Sequence, residues 1–256
     1  MLISDKKLRS QKRERSFSID FAFAIWYNEK NGGMTMKIYG AIFDFDGTLL
    51  DSMPMWFSVC EEYLTQNGLQ AQGITQEFRT MSLDRSAAYI RDFFHLDKSA
   101  EQIFSEINAM VEHRYHETLP LKEGAWELVR DLKAQGVKLA LATASGRHLI
   151  DPALKRLNLS EMFDAVFTCA ELNTSKSETK IFETALSALG TPAEETWVFE
   201  DSLLAIRAAK AAGLKTATVA DPTNEDTVEE MKRLSDTYVD TFPAWEKTHL
   251  RKGEIV

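Results

Sequence analysis

Apolar positions along the chain follow three successive patterns. Ile38–Phe43 is a nearly continuous apolar run, which is typical of a strand buried on both faces of a parallel sheet. Across 55–119 the apolar residues recur at spacings of three and four, which predicts helices, and no segment there is a convincing strand. From Pro120 onward strands alternate with helices. We therefore expect an α/β protein, with a parallel sheet covered by helices on both faces and an all-helical insertion after the first strand.

The elements can be placed individually. The insertion should contain a helix that ends at Asn67-Gly68, followed by helices at Glu77–Met81, Asp84–Phe94 and Ser99–Tyr115. In the second half we expect helices at Glu123–Ala134, Arg147–Leu157, Glu178–Leu189, Leu203–Ala212 and, as the last full helix, Asn224–Leu234, with strands at Val137–Thr143, Ala165–Cys169, Thr196–Glu200 and Lys215–Ala220. Ligands of such sheets bind outside the carboxyl ends of the strands, so the polar residues at those ends are the functional candidates.

Two acidic residues follow the first strand, in the stretch Asp44-Phe45-Asp46-Gly47-Thr48. In extended backbone, side chains two residues apart point to the same side, so the carboxylates of Asp44 and Asp46 should lie close together. Such a pair repels itself unless a cation or hydrogen bonds compensate, which is costly for a purely structural loop. The arrangement suits a Mg²⁺ site with a carboxylate nucleophile. The plain alternative is an acidic turn in which one carboxylate is only a cap.

The stretch Asp-Phe-Asp-Gly-Thr-Leu-Leu-Asp-Ser at 44–52 resembles the first motif of the haloacid dehalogenase-like (HAD) phosphohydrolases. The resemblance is closest to the branch that includes β-phosphoglucomutase and phosphoglycolate phosphatase, and it covers about residues 38–220. It implies a Rossmann-like core formed by 36–54 and 120–256. It also implies a helical cap at 55–119, which closes over the active site and sets substrate choice.

Two later segments match the phosphate-binding motifs of the family. Thr143, at the end of the second strand, matches the Thr or Ser that binds the transferring phosphoryl group, and Ser145 is a candidate second contact. Taken alone, this Thr-Ala-Ser-Gly turn could also be an ordinary helix cap. Ile181-Phe182 sets a register that places Lys176 on the family lysine. The two prolines usual in that loop are absent, and Lys180 is a rival for the same role.

The remaining motif lies at the end of the fourth strand and completes the catalytic set that the resemblance implies. Asp201 matches the family's Mg²⁺-binding Asp, and Glu200 could join it directly or through water. Asp44 would attack phosphorus and form an aspartyl-phosphate, while Asp46 would act as general acid and base. Asp44, Asp201 and the backbone carbonyl of Asp46 would ligate Mg²⁺. The resemblance thus implies a Mg²⁺-dependent phosphatase acting on a small phosphomonoester, a sugar phosphate or similar metabolite.

Two other functions stay open. One is a phosphosugar mutase of the β-phosphoglucomutase type, which is disfavoured because Thr48 follows the glycine where mutases often carry Val and because Trp56 stands where they have His. The other is a catalytically silent phospho-ligand-binding regulator, which would not need both Asp44 and Asp46. Within the cap, Trp56 and Arg79 are candidates for recognising the substrate.

Composition narrows the class of protein. The 256 residues carry a net charge of −9, which argues against a nucleic-acid binder. Two cysteines, Cys60 and Cys169, are too few for a disulfide framework, which favours a reducing, cytoplasmic setting. No stretch has the length of a membrane span, and no obligate protein partner is indicated. Residues 1–35, with seven Lys and Arg against four acids, are expected to form an extension outside the fold; a basic arm that touches a membrane or partner is the alternative.

Overall fold

The computed structural model describes residues 38–70, 75–78 and 81–250. Ile38–Ala244 forms one compact unit. The candidate site and the elements that support it lie in this unit. The predictions made for residues 1–35 and for Arg79 lie outside the described residues.

Six parallel strands form the sheet, in the spatial order β3-β2-β1-β4-β5-β6. They are β1 (Gly40–Phe43), β2 (Lys138–Thr143), β3 (Ala165–Thr168), β4 (Thr196–Glu200), β5 (Lys215–Val219) and β6 (Thr237–Val239). Strand β1 is central, and Phe43 at its end pairs with Leu141 of β2 and Phe199 of β4. The carboxyl ends of these three strands therefore lie side by side, with the order reversing at β1, where ligands of doubly wound sheets bind.

The helices connect these strands in sequence. They are α1 (Met53–Gln66), α2 (Thr75–Phe78), α3 (Leu83–Phe94), α4 (Ala100–Glu117), α5 (Ala125–Ala134), α6 (Arg147–Arg156), α7 (Cys169–Leu172), α8 (Lys180–Leu189), α9 (Leu203–Ala211), α10 (Val228–Leu234) and α11 (Phe242–His249). The first five lie between β1 and β2, and the first four of these form the insertion that the helical spacing predicted. The predicted Rossmann-like α/β fold is confirmed.

The apolar runs form strands because the helices bury both faces of the sheet. All four residues of β1 are buried, and so are all five of β4. The rings of Phe43 and Phe199 stack on one face with centroids 4.6 Å apart, and Ile42 joins a cluster with Phe182 of α8 on the other. Burying side chains of this size contributes about 1.5–3 kcal/mol each. The strand ends that carry the polar residues are thus fixed by a packed core.

The helical insert has an apolar seam of its own. Ile103, Ile107, Val111 and Tyr115 of α4 are fully buried at four-residue spacing, one side of a helix. The helix begins at Ser99 with a complete capping box: Ser99 accepts from the Gln102 backbone N–H, and the Gln102 side chain accepts from that of Ser99. Tyr115, the last buried residue of the seam, lies where α4 approaches the sheet.

Several predicted boundaries were wrong. The helix expected at Glu77–Met81 lies at Thr75–Phe78. Cys169 does not extend β3 but begins the short helix α7, because Thr168 caps it through a capping box with Glu171. The helix expected from Asn224 begins at Val228, since Pro222–Asn224 forms a separate 3₁₀ turn. That helix is also not the last, because β6 and α11 follow it. A strand of three residues is too short to produce a periodic pattern.

Candidate active site

Asp44 continues β1 by one residue and remains in the ladder, because its backbone N–H donates to the carbonyl of Phe199 at 3.0 Å. Its side chain is 9% exposed and contacts Lys176, whose Nζ lies 3.0 Å from Asp44 Oδ1. Burial raises the pKa of Asp44 despite the opposing charge of Lys176. Among the described residues, Lys176 is the one cation that forms an ion pair with this carboxylate, which lies at the carboxyl end of β1.

Lys176 also contacts Glu200, with Nζ 2.7 Å from Oε2. Burial alone would lower the pKa of this ammonium, but the charges of Asp44 and Glu200 together raise it. The lysine therefore carries a positive charge between two buried acids. Its rival Lys180 is exposed and donates to the carbonyl of Leu172 instead. The structure thus brings Lys176, and not Lys180, to Asp44.

Glu200 and Asp201 end β4 next to Asp44. The second oxygen of Glu200 accepts from the backbone N–H of Ser202 at 3.2 Å. Burial, followed by the charge of Asp44, raises the pKa of Glu200 well above its usual value and that of Asp201 to about 7. At these three acids, burial and the repulsion between neighbouring carboxylates outweigh the attraction of the nearby lysines.

These three acids fit a divalent cation. Asp44, Glu200 and Asp201 each offer one carboxylate oxygen, and the three oxygens lie within 4.8 Å of one another. Hard oxygen donors are the ligands that Mg²⁺ prefers. Lys176 contacts two of these three carboxylates, those of Asp44 and Glu200, so a doubly charged cation would offset the negative charge that remains. Among the residues that the structure describes, this is the one group of His, Cys, Asp and Glu with metal-binding spacing.

Two side chains that the sequence analysis did not select hold Asp201. Thr48 is fully buried and donates its hydroxyl to Asp201 Oδ1 at 3.2 Å. Asn224 donates from Nδ2 to the Asp201 backbone carbonyl at 2.8 Å and to Oδ2 at 3.2 Å. Gly47 passes close by with φ +76°, and a Cβ there would lie 2.3 Å from Asp201 Oδ2. Only glycine can adopt this positive φ without strain and also leave room for the Asp201 carboxylate.

Asp46 has different partners, and in its described side-chain hydrogen bonds these are hydroxyls. Ser52 Oγ donates to its Oδ1 at 2.7 Å and Ser145 Oγ to its Oδ2 at 2.6 Å. Tyr115 donates its hydroxyl to Oδ1 at 2.5 Å. Burial and the nearby Asp46 carboxylate both raise the pKa of Tyr115, so this phenol stays protonated and remains a donor. Of these three residues, only Ser145 was a predicted site residue.

Thr143 is fully buried at the carboxyl end of β2, beside β1. Its hydroxyl oxygen accepts from the backbone N–H of Ser145 at 3.0 Å, which shapes the turn before α6. The same turn directs the Ser145 hydroxyl to Asp46. The hydroxyl proton of Thr143 remains available to a ligand oxygen at the sheet edge.

The family follows from the match of sequence as well as geometry. The family model described as haloacid dehalogenase-like hydrolase matches residues 41–219. The chain belongs to this family. Over 190 residues it is 28% identical to hexitol phosphatase B of Escherichia coli K12, covering 73% of this chain and 85% of the relative. Over 188 residues it is 30% identical to pyrophosphatase PpaX of Anoxybacillus flavithermus, covering 72% and 85%.

A solved structure shares the fold of this HAD-like hydrolase. It is a HAD family hydrolase from Deinococcus radiodurans R1 with bound phosphate and sodium, matched at a TM-score of 0.67 and 22% identity over 83% of this chain and 95% of the other. The predicted family, its branch and the class of HAD-like phosphohydrolase are confirmed. Among the described helices, none combines the length and the apolar composition that crossing a membrane requires.

In this HAD-like hydrolase, the chain segments that enter and leave the helical insert are joined by backbone hydrogen bonds. The N–H of Asp51 donates to the carbonyl of Pro120 at 2.9 Å, and the N–H of Lys122 donates to that of Leu49 at 2.8 Å. Trp56, a predicted specificity residue just inside the insert, donates from Nε1 to the Tyr115 hydroxyl at 3.0 Å. Trp56 is therefore linked to Asp46 through the hydroxyl of Tyr115.

Proposed function

We propose that this HAD-like hydrolase is a Mg²⁺-dependent phosphatase that hydrolyses a small phosphomonoester through an aspartyl-phosphate at Asp44. One observation carries the proposal: Asp44 and Asp46, two residues apart, share none of their described side-chain partners. Asp44 contacts a lysine and lies among acids, whereas Asp46 accepts from three hydroxyls. Two carboxylates in different environments can take two roles in one reaction.

In the first step Asp44 attacks the substrate phosphorus. An oxygen–phosphorus bond forms at Asp44 while the bond from phosphorus to the leaving oxygen breaks. Asp46, protonated at this stage, gives its proton to that leaving oxygen, which departs as an alcohol. Lys176 offsets the negative charge of the phosphoryl group beside Asp44, and the Thr143 hydroxyl donates to one of its oxygens.

In the second step Asp46, now ionised, takes a proton from a water molecule. The water oxygen bonds to phosphorus, and the bond from phosphorus to Asp44 breaks, which releases phosphate and restores both side chains. The hydroxyls of Ser52, Tyr115 and Ser145 stabilise the ionised Asp46 between the two steps.

Asp44, Glu200 and Asp201 would hold Mg²⁺ through one oxygen each, with the backbone carbonyl of Asp46 as a further ligand. When bound, the cation would lower the repulsion between the Asp44 carboxylate and the phosphate by polarising phosphate oxygens. Thr48 and Asn224 would keep the Asp201 carboxylate in position for it.

For the substrate we propose a phosphate ester of a sugar or sugar alcohol, supported by the similarity to hexitol phosphatase B. Pyrophosphate is a second candidate, supported by the similarity to PpaX. A mutase is disfavoured because Trp56, where mutases of the branch have His, has its N–H bonded to Tyr115. A silent binder is disfavoured because both Asp44 and Asp46 are present, and binding alone would not need both.

We also propose that the helices within 55–119 form a cap over this site, while 36–54 and 120–256 form the core. The paired segments at Asp51–Pro120 and Leu49–Lys122 would then be its hinge. Closure of such a cap excludes water other than the attacking molecule. Residues 1–35 are proposed to be dispensable, so a chain that starts at Met36 should keep full activity.

A substrate panel tests the function. Sorbitol 6-phosphate, pyrophosphate, glucose 1-phosphate and p-nitrophenyl phosphate would be assayed for phosphate release with Mg²⁺ and again after EDTA. We expect the enzyme to hydrolyse sorbitol 6-phosphate. EDTA should abolish this hydrolysis, and added Mg²⁺ should restore it. Conversion of glucose 1-phosphate to its isomer without phosphate release would identify a mutase. Binding without turnover of any ester would leave only the regulator.

A further inference from the structure

Resting on the proposed role of Asp46, we propose that Tyr115 is a positioning residue for that carboxylate. Its hydroxyl, delivered by the last helix of the insert, would fix the orientation in which Asp46 transfers protons. The residue carries no charge and lies in the apolar seam of α4, so its sequence position alone marks it as core.

The direction of the Tyr115 hydroxyl proton follows from its neighbours. The Trp56 Nε1–H donates to the phenol oxygen at 3.0 Å, and the two rings meet edge to face with centroids 6.3 Å apart. The phenol has one proton, and its 2.5 Å contact with Asp46 Oδ1 is the shortest that it makes. Ser145 Oγ lies 3.5 Å from the phenol and is itself 2.6 Å from Asp46 Oδ2. The phenol is therefore a donor to Asp46.

The backbone of Tyr115 is held as firmly as its side chain. Arg156, at the end of α6, donates to the Tyr115 carbonyl from Nε at 3.3 Å and from Nη2 at 3.1 Å. The same Nη2 donates to the carbonyl of Leu119 at 2.6 Å. These carbonyls belong to the end of α4, where a guanidinium both satisfies free acceptors and complements the helix dipole. Because α6 connects β2 to β3, Tyr115 is anchored to the sheet that carries Asp46.

Loss of the phenol hydroxyl would leave Asp46 Oδ1 with Ser52 alone. The ring of Tyr115 is fully buried, so a phenylalanine there keeps the packing and removes only the hydrogen bond. Displacement of a reacting group by about 1 Å can cost about 100-fold, and the whole contribution of an acid–base residue is about 10²–10⁴-fold. We expect Tyr115→Phe to slow the proton-transfer steps about 10- to 100-fold.

The test compares kcat with kcat/KM for two substrates of the Tyr115→Phe enzyme. With p-nitrophenyl phosphate the first step needs little protonation, so kcat/KM should stay within about threefold of wild type. The second step still needs Asp46 to deprotonate water, so kcat should fall about 10- to 100-fold. With sorbitol 6-phosphate, whose alkoxide must be protonated, kcat/KM should fall by that factor too. A loss of folded enzyme would lower both constants equally with both substrates.

Tyr63→Phe is the matched control. Tyr63 is also a buried insert tyrosine, but its hydroxyl donates to Glu106 of α4 and not to the site. We expect wild-type constants for it. Unchanged kinetics in Tyr115→Phe, or a parallel fall of kcat and kcat/KM with p-nitrophenyl phosphate, would overturn the role of Tyr115. Absence of hydrolysis by the wild-type enzyme, measured first, would overturn the proposed function and this inference with it.

Discussion

Asp44 and Asp46 lie two residues apart but in different electrostatic surroundings. Asp44 lies at the carboxyl ends of β1 and β4, which we call the sheet edge, and Asp46 lies beside the helical insert, which we call the insert side. At the sheet edge lie three buried acids, two of which contact Lys176, and burial raises the pKa values of all three. On the insert side a single acid meets three hydroxyls and no contacting cation among its described hydrogen bonds. We propose that the first region binds a cation and that the second holds a carboxylate for proton transfer.

The difference arises from the backbone between the two acids. Asp44 still belongs to the ladder of β1, so its side chain stays at the carboxyl end of that strand, where it contacts Lys176. The chain then turns at Gly47, where φ is +76°. Leu49 and Leu50 close this turn by donating to the carbonyl of Phe45 at 3.0 and 2.7 Å. The tight turn carries Asp46 toward the insert, which separates the partners of the two acids.

Among changes at the sheet edge, Asp44→Asn should reduce turnover most. It removes the proposed nucleophile, so turnover should fall by roughly 10⁴-fold or more, and no phosphoenzyme should form. Steady-state phosphate release measures this loss. Asp92→Asn, at an exposed position of α3, is the control and should behave as wild type. A variant that keeps a tenth of the wild-type rate would remove Asp44 from covalent catalysis.

Lys176→Met should reduce stability more than any other lysine change in this loop. Loss of one partner from a buried ion pair typically costs about 3–5 kcal/mol, because the remaining charges stay buried. Lys180→Met changes an exposed lysine four residues away and should cost less than about 1 kcal/mol. Denaturant unfolding in EDTA at pH 7 compares the two. Equal costs would mean that Lys176 does not compensate the acids.

Asp201→Asn should abolish the stabilisation of the protein by Mg²⁺. A ligand that binds only the folded state contributes about 2.7 kcal/mol at a concentration 100 times its Kd, so Mg²⁺ should raise the wild-type Tm. The variant lacks one of the three clustered carboxylates and should melt at the same temperature with and without Mg²⁺. Thermal melts in EDTA and in excess Mg²⁺ decide this, with Asp92→Asn again as control. A full Mg²⁺ shift in the variant would place the cation elsewhere.

Trp56→Ala, on the insert side, should change substrate preference and leave the Mg²⁺ requirement, which depends on the sheet edge, unchanged. Removal of this ring opens space beside Tyr115, so the ratio of kcat/KM for sorbitol 6-phosphate and p-nitrophenyl phosphate should change by about tenfold. The Mg²⁺ concentration that gives half-maximal activity should stay the same. A changed Mg²⁺ requirement with an unchanged substrate ratio would place Trp56 away from the pocket.

The fold was predictable because its signals are local. Apolar runs such as those of β1 and β4 mark strands that are buried on both faces, and Thr196–Glu200 was predicted to the residue. The capping box at Ser99 also lies within one turn of chain. By contrast, β6 is three residues long, and α7 is a single turn. Such elements form because neighbouring strands and caps support them, and their own sequence carries little pattern.

The candidate site was only partly predictable, for a related reason. Asp44, Glu200 and Asp201 stand at strand ends, where an acid after an apolar run is conspicuous. Tyr115 and Asn224 lack such a signal, because the one continues an apolar helical seam and the other lies in a polar turn. Tyr115 meets Asp46 across 69 residues, and Asn224 meets Asp201 across 23. Only the folded chain brings these pairs together.

The most direct measurement of the central claim is the mass of the peptide that contains Asp44, taken from the Asp46→Asn enzyme. This variant should turn over about 10²–10⁴-fold more slowly, because it lacks the acid and base but keeps the nucleophile. The leaving group of p-nitrophenyl phosphate needs little protonation, so with Mg²⁺ this substrate should still phosphorylate Asp44. The resulting phosphoaspartate should hydrolyse slowly. After rapid acid quench the peptide should gain about 80 Da, the mass of one phosphoryl group. An unmodified peptide, with wild-type turnover intact under the same conditions, would contradict the division of roles between Asp44 and Asp46.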